Sequence, residues 1–255
     1  MRQTVACGLI GALAALFPCT PAFAADNKYC LPDSDNVVVY VDRTTPYDDL
    51  DKKALVDGVA LVFEALEGGE RFSIRSIADS FATSERLVEA CVPICANQGF
   101  LDDLFSDCTE GVMINDRKKL KTRIVQTLQK LLANFVELPN SEIVRTLALS
   151  TAEEMRQNRR NRVFLFSDLI ENSVYLPGKE FFSTRTKPLL AKLEADGLVP
   201  DWQGTVVHVF GVGRSGKPGR PPLDQPLLEK LTEFWRAYFD GAGATVSIQQ
   251  SLSAE

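Results

Sequence analysis

Three polar groups in this chain stand just beyond apolar runs, where folding would carry them to the edge of a sheet. Asp42-Arg43-Thr44-Thr45-Pro46-Tyr47-Asp48-Asp49 follows the run Asn36 to Val41, and Ser167-Asp168-Leu169 follows Arg162 to Phe166. Ser141 opens an amphipathic stretch shortly after Pro139. Asp42, Thr44, Ser141 and Asp168 together are hard oxygen ligands, suited to Mg²⁺, or to Ca²⁺ or Mn²⁺, with water completing the shell. Arg43, Thr45 and Asp48 would share their rim, as would the basic residues Arg214, Lys217 and Arg220, and these offer contacts to a partner. Nucleophilic chemistry has little to draw on. The single histidine, His208, lies inside Val206-Val207-His208-Val209-Phe210 and reads as buried in a sheet, with no serine or cysteine motif beside it. Glu153-Glu154 and Asp48-Asp49 read as solvated helix charges rather than an acid–base pair.

Gly211-Val212-Gly213-Arg214-Ser215-Gly216-Lys217 resembles phosphate-binding glycine motifs, but its context does not support them. Pro218 occupies the place of the Mg²⁺-directed hydroxyl, and Pro218-Gly219-Arg220-Pro221-Pro222 blocks the helix that must follow. The stretch reads as an exposed basic loop, and no nucleotide is expected.

The 255 residues include 28 Lys+Arg against 34 Asp+Glu, a net charge of -6, which argues against general nucleic-acid binding. Residues 1–24 have the features of a bacterial Sec-type signal peptide: Met1-Arg2, an apolar run from Val5 to Phe17, and Ala22-Phe23-Ala24 before the cleavage point. No later segment is apolar enough to span a bilayer, so a periplasmic or secreted protein is expected. Of the 6 cysteines, Cys7 and Cys19 fall in the signal; Cys30, Cys91, Cys95 and Cys108 remain. In an oxidising compartment they read as two disulfides rather than a zinc site. Cys30 precedes the first strand and Cys91 ends a returning edge strand, so one bridge is expected from Cys30 to the Cys91–Cys95 region, with Cys108 completing the second.

The remaining pattern must position these groups. Continuous β-branched and aromatic runs predict buried strands at Asn36 to Val41, Arg162 to Ser167 and Thr205 to Phe210, with further strands at Arg71 to Ile77 and Ala244 to Gln249. Leu87 to Val92 is expected to return as an antiparallel edge strand. Helices are predicted over Tyr47 to Leu66, Lys118 to Phe135, Ser141 to about Asn158 (with Ser141 as N-cap), Phe181 to Ala195 and Pro222 to Ala242. Phe234, Trp235, Tyr238 and Phe239 form an aromatic core stripe on the last of these. Residues from about 93 to 116 read as an irregular cysteine-containing insertion. The alternation of strands and helices predicts an α/β fold, doubly wound and Rossmann-like, with a mainly parallel sheet and one antiparallel edge strand, as a single domain over 25–255. Ligands of such sheets bind beyond the carboxyl ends of the strands.

The Val37-Val38-Val39-Tyr40-Val41-Asp42-Arg43-Thr44 run, Arg71-Phe72-Ser73-Ile74, Ser141-Glu142-Ile143 and Val163-Phe164-Leu165-Phe166-Ser167-Asp168 resemble, in order, a von Willebrand factor A domain. The resemblance covers about residues 35 to 250. It implies a doubly wound sheet with a metal-ion-dependent adhesion site on its upper face. Asp42 and Thr44 would then be first-loop ligands, Ser141 the middle hydroxyl and Asp168 the last carboxylate. Two positions depart from the pattern: Pro46 replaces the motif's second serine, and Leu169 replaces the usual glycine. The resemblance implies an exported module that binds another protein, in the cell envelope, with or without a divalent cation. The alternatives are a metal-dependent hydrolase-like enzyme, or a metal-free structural component in which Asp42 and Asp168 cap helices.

Overall fold

The strand β1 (Asn36–Asp42) is buried along its whole length because its two faces feed two separate cores. Val37, Val39 and Val41 point to one side of the sheet, and Val38 and Tyr40 to the other. The computed structural model describes residues 29–95, 108–133, 138–215 and 221–253. The order of elements is β1, α1 (Asp49–Glu64), β2 (Arg71–Ile77), β3 (Arg86–Cys91), α2 (Glu110–Ala133), α3 (Ile143–Glu154), β4 (Asn161–Phe166), α4 (Gly178–Ser183), α5 (Thr186–Ala195), β5 (Val206–Phe210), α6 (Gln225–Gly241) and β6 (Thr245–Gln249).

The six strands are arranged β3-β2-β1-β4-β5-β6, with β3 antiparallel and every other neighbour parallel. The strand order reverses between β1 and β4, and at such a switch point the carboxyl ends open a crevice. Helices α1 and α2 pack on one face, through Leu55, Val59 and Phe63 and through Leu120, Ile124 and Leu128. The other face is covered by α3, α5 and α6, with Phe234, Trp235, Tyr238 and Phe239 all buried, as their helical spacing predicts.

Several boundaries differ from the sequence reading, for identifiable reasons. Helix α2 starts at Glu110, inside the stretch expected to be irregular, because the apolar residues of its first turn, Val112, Met113 and Ile114, are consecutive rather than spaced at a helical period. The helix expected over Phe181 to Ala195 is two helices, since the ring of Pro188 would clash with the carbonyl of Thr184 in a continuous one. Cys30 pairs with Cys91 (Cα–Cα 5.1 Å), which ties the segment before β1 to the end of β3, and Cys95 pairs with Cys108 (5.7 Å). The expected signal segment 1–24 lies outside the described residues. No described helix is long and apolar enough to cross a membrane.

The largest correction concerns charge. Glu154 is not a solvated helix charge. It is fully buried at the end of α3, where Arg75 Nε (2.9 Å), Arg86 Nε (2.9 Å), Ser73 Oγ (2.9 Å) and Arg71 Nη2 (3.3 Å) all donate to it. Burial pushes its carboxyl up, but the hydrogen bonds from Arg75 and Arg86 outweigh that and hold it below the ordinary value. His208 is only half-buried, stacked on Phe164 at 5.1 Å between centroids, with Nδ1 2.9 Å from Ser247 Oγ.

Candidate functional site at the carboxyl-end rim

Asp42 ends β1 at the switch point and is fully buried. Its Oδ1 accepts from Thr44 N (2.9 Å) and Thr44 Oγ1 (2.7 Å), and its Oδ2 accepts from Ser167 Oγ (2.6 Å). Thr44 Oγ1 lies 2.9 Å from Ser141 Oγ, which brings together residues 97 positions apart. Asp168 follows β4; its Oδ2 accepts from Thr45 Oγ1 (2.6 Å) and its Oδ1 from Ile170 N (2.9 Å). Burial, and next the charge of Asp42, push the Asp168 carboxyl up to about 6. Thr44, Thr45, Ser141, Asp168, Asn172 and Arg214 are among the residues lining a cleft of about 280 Å³ on this rim.

Asp42, Thr44, Ser141 and Asp168 thus share one rim, with Thr45 as the link to Asp168. Among the other rim residues, Arg43 turns away and donates from Nη2 to Thr83 O (2.9 Å), and Asp48 caps α1 by accepting from Asp51 N (2.8 Å). Helix capping at α1 is therefore the work of Asp48, not Asp42. Lys217 and Arg220 lie outside the described residues. Arg214 is not an exposed loop cation: its side chain is 9% exposed, its guanidinium lies 3.8 Å from the Tyr47 ring centroid, and Nη1 donates to Pro46 O (2.9 Å) and Asp51 Oδ2 (3.1 Å).

Ser141 is not the N-cap of α3 either. Its backbone exchanges hydrogen bonds with Asn172, and α3 begins two residues later at Ile143. The buried amide donors at the start of the helix are met from another loop: Glu171 Oε2 accepts from Ile143 N (2.8 Å) and Val144 N (3.0 Å). Burial raises the Glu171 carboxyl to about 8. The sequence reading passed over Glu171, and no local pattern marks a cap supplied from 28 residues away. Ser167 was also passed over, although the pairing of Val41 with Phe166 places the next residue of each strand, Asp42 and Ser167, side by side.

Leu169 has φ 60°, the left-handed conformation that a glycine at this position would adopt without a Cβ penalty. Burial of its side chain and the hydrogen bond from Trp235 Nε1 to its carbonyl (2.8 Å) hold it there. Gly211 and Gly213 also have positive φ (92° and 66°), and a Cβ on either would meet Leu252 or Leu228 at 2.7 Å. Turn geometry and close packing account for both glycines.

Asp42, Thr44 and Ser141 bring hard oxygens, the kind a divalent cation takes, to hydrogen-bond spacing. Thr44 Oγ1 is 2.7 Å from Asp42 Oδ1 and 2.9 Å from Ser141 Oγ. Adjacent oxygens around an octahedral ion with metal–oxygen distances of about 2.1 Å lie roughly 3 Å apart. Pro46, at the motif's remaining position, offers no side-chain donor.

No family model matches this chain, and no curated protein matches it. Among solved structures it is similar to a von Willebrand factor type A protein from Catenulispora acidiphila, with TM-score 0.45 and 11% identity over 86% of this chain and 39% of that one. It is also similar to proximal thread matrix protein 1 from the mussel byssus, with TM-score 0.44 and 14% identity over 88% of this chain and 46% of that one. The chain spans less than half the length of either. By its own strand order and single antiparallel edge strand, the chain has a von Willebrand A-like α/β fold.

Proposed function

We propose that this chain is an exported protein-binding module whose contact surface is the carboxyl-end rim. In this reading Asp42, Thr44, Ser141 and Asp168 hold a Mg²⁺-class cation, which takes an acidic group of the partner. The observation that carries the binding reading is the placement of exposed apolar side chains. Val174 and Leu50, at 81% and 79% exposure, are the most exposed large hydrophobic residues among those described. Val174 lies two residues beyond Asn172 and Leu50 four beyond Pro46, and both Asn172 and Pro46 line the cleft. Exposed apolar side chains close in the chain to residues of a polar cleft are what a protein interface can bury, with the apolar area driving association and the polar centre fixing register. Export is supported by the two bonded cysteine pairs, which belong to an oxidising compartment.

The cation would neutralise the two buried carboxylates and offer the partner's oxygen an open coordination position. Asp42 and Asp168 supply the anionic ligands, and Thr44 and Ser141 the neutral ones. Calorimetric titration of Mg²⁺ or Mn²⁺ into the protein tests this: binding heat is expected for the wild type and none for Asp42→Ala, and a silent wild type rejects the cation. Leu50→Asp and Val174→Asp should each reduce crosslinking to a partner in envelope extracts. Unchanged crosslinking in both would remove the rim as the contact surface.

A further inference from the structure

One wall of the rim cleft has polar atoms with nothing to bind. Arg214 leaves β5 through the turn at Gly211 to Gly213, and Tyr47, Pro46 and Asp51 pin its guanidinium through one face and Nη1. Its Nε and Nη2 find no acceptor among the described residues, and neither does the hydroxyl of the next residue, Ser215. Buried donors without acceptors are rare and destabilising, the more so on a charged group. Here three of them belong to adjacent residues that line the same cleft as Ser141 and Asp168.

The surrounding charge indicates what they await. Asp51 pairs directly with Arg214 at 3.1 Å, and the charges of Asp168 and Asp42 act on it from farther off. A bare anion would be repelled. With a divalent cation at Asp42 and Asp168 the cluster becomes neutral, and a single carboxylate is then drawn in. A doubly charged phosphate would rebuild a larger negative excess. The Nε and Nη2 edge of a guanidinium matches the two oxygens of a planar carboxylate.

We infer that Arg214, assisted by Ser215, is a second anchor for the partner's carboxylate, working beside the cation rather than in its place. The inference rests on the cation reading above. It makes Arg214 the residue that selects a carboxylate over a neutral oxygen ligand.

The test separates the two ideas. Mg²⁺ alone is first titrated calorimetrically into the wild type, Arg214→Gln, Arg214→Lys and Ser215→Ala. N-acetyl-aspartate methylamide (a side-chain carboxylate) and N-acetylalanine (a chain-terminal one) are then titrated at saturating Mg²⁺ and followed by backbone amide shifts. Arg214→Gln should bind Mg²⁺ as tightly as the wild type or more so, because a repelling charge is gone, yet bind the better of the two carboxylates about tenfold more weakly. Arg214→Lys, with the charge but not the fork, should fall between. Ser215→Ala leaves the Tyr47 stack untouched and should weaken the carboxylate by less. Opposite movements of the two affinities are not what a merely structural arginine would give. If both affinities fall together, or carboxylate affinity is unchanged in Arg214→Gln and Ser215→Ala, the inference is overturned while the cation reading stands. Absence of Mg²⁺ binding in the wild type overturns both.

Discussion

Two clusters of buried charge sit on the same sheet, and they are built in opposite ways. Around Glu154, three arginines converge on one carboxylate, and Glu89 and Glu153 answer the excess positive charge from its edge. At the carboxyl-end rim, Asp51 pairs with Arg214, Asp168 and Asp42 act on it from farther off, and two of the arginine's nitrogens have no partner among the described residues. The first cluster is closed, with charge answered and the central hydrogen bonds made. The second leaves negative charge in excess and donors idle. A protein interior tolerates the first as structure, whereas the second is unfavourable until something binds. The contrast supports the proposal that the rim is the binding end more than any single residue there does.

The largest expected effect comes from opening the closed cluster. Glu154→Ala leaves Arg71, Arg75 and Arg86 without their shared partner and should cost about 3–5 kcal/mol in urea denaturation. A loss under 1 kcal/mol would mean the arginines re-pair readily with Glu153 and Glu89, and the cluster is less closed than its geometry implies. Because Glu154 titrates low in the folded state, its contribution should be present near neutral pH and be lost as pH falls through the acid range.

Glu171 should give the next largest effect, with the opposite sign. Its folded value is raised from 4.5 to about 8, so the folded chain holds more protons than the unfolded chain between those values. Stability should therefore fall as pH rises through that window, by a few kcal/mol in all. Glu171→Gln keeps an acceptor for the amides of Ile143 and Val144 and should flatten this part of the profile. An unchanged slope would assign the titration to another group.

Asp168→Asn tests the open cluster directly. Removing one of two neighbouring buried carboxylates should stabilise the protein in EDTA by about 1–3 kcal/mol while abolishing the Mg²⁺ response. A mutant that loses stability in EDTA would show that the rim is not short of positive charge. The smallest effect is expected for Asp48→Ala, which removes the cap of α1 and should lower stability by about 1 kcal/mol without altering Mg²⁺ binding. A change in Mg²⁺ affinity there would make Asp48 a ligand as well as a cap.

Much of the fold is legible because its signals are local. The β-branched and aromatic runs of β1, β4 and β5 and the aromatic stripe of α6 record burial in residue type and period. The oxygen set is legible for a related reason: Asp42, Thr44 and Asp168 follow strands, and parallel strands end on one rim. Where the reading departs from the structure, the decisive partner is distant. Glu154 meets Arg71 across 83 positions, Arg214 meets Asp51 across 163, and the cap of α3 arrives from Glu171. A charged residue on a helix looks the same in sequence whether water or an arginine faces it.

The sequence by itself determined the strands, the order of the layers and which oxygens stand at the rim, since each follows from apolar period and chain direction. Only the tertiary structure decided which charges are buried, which of them are answered, and that Arg214 is left with donors to spare among the described residues. Those outcomes depend on the summed field and hydrogen-bonding capacity of groups from separate elements, and no local stretch of chain encodes that sum.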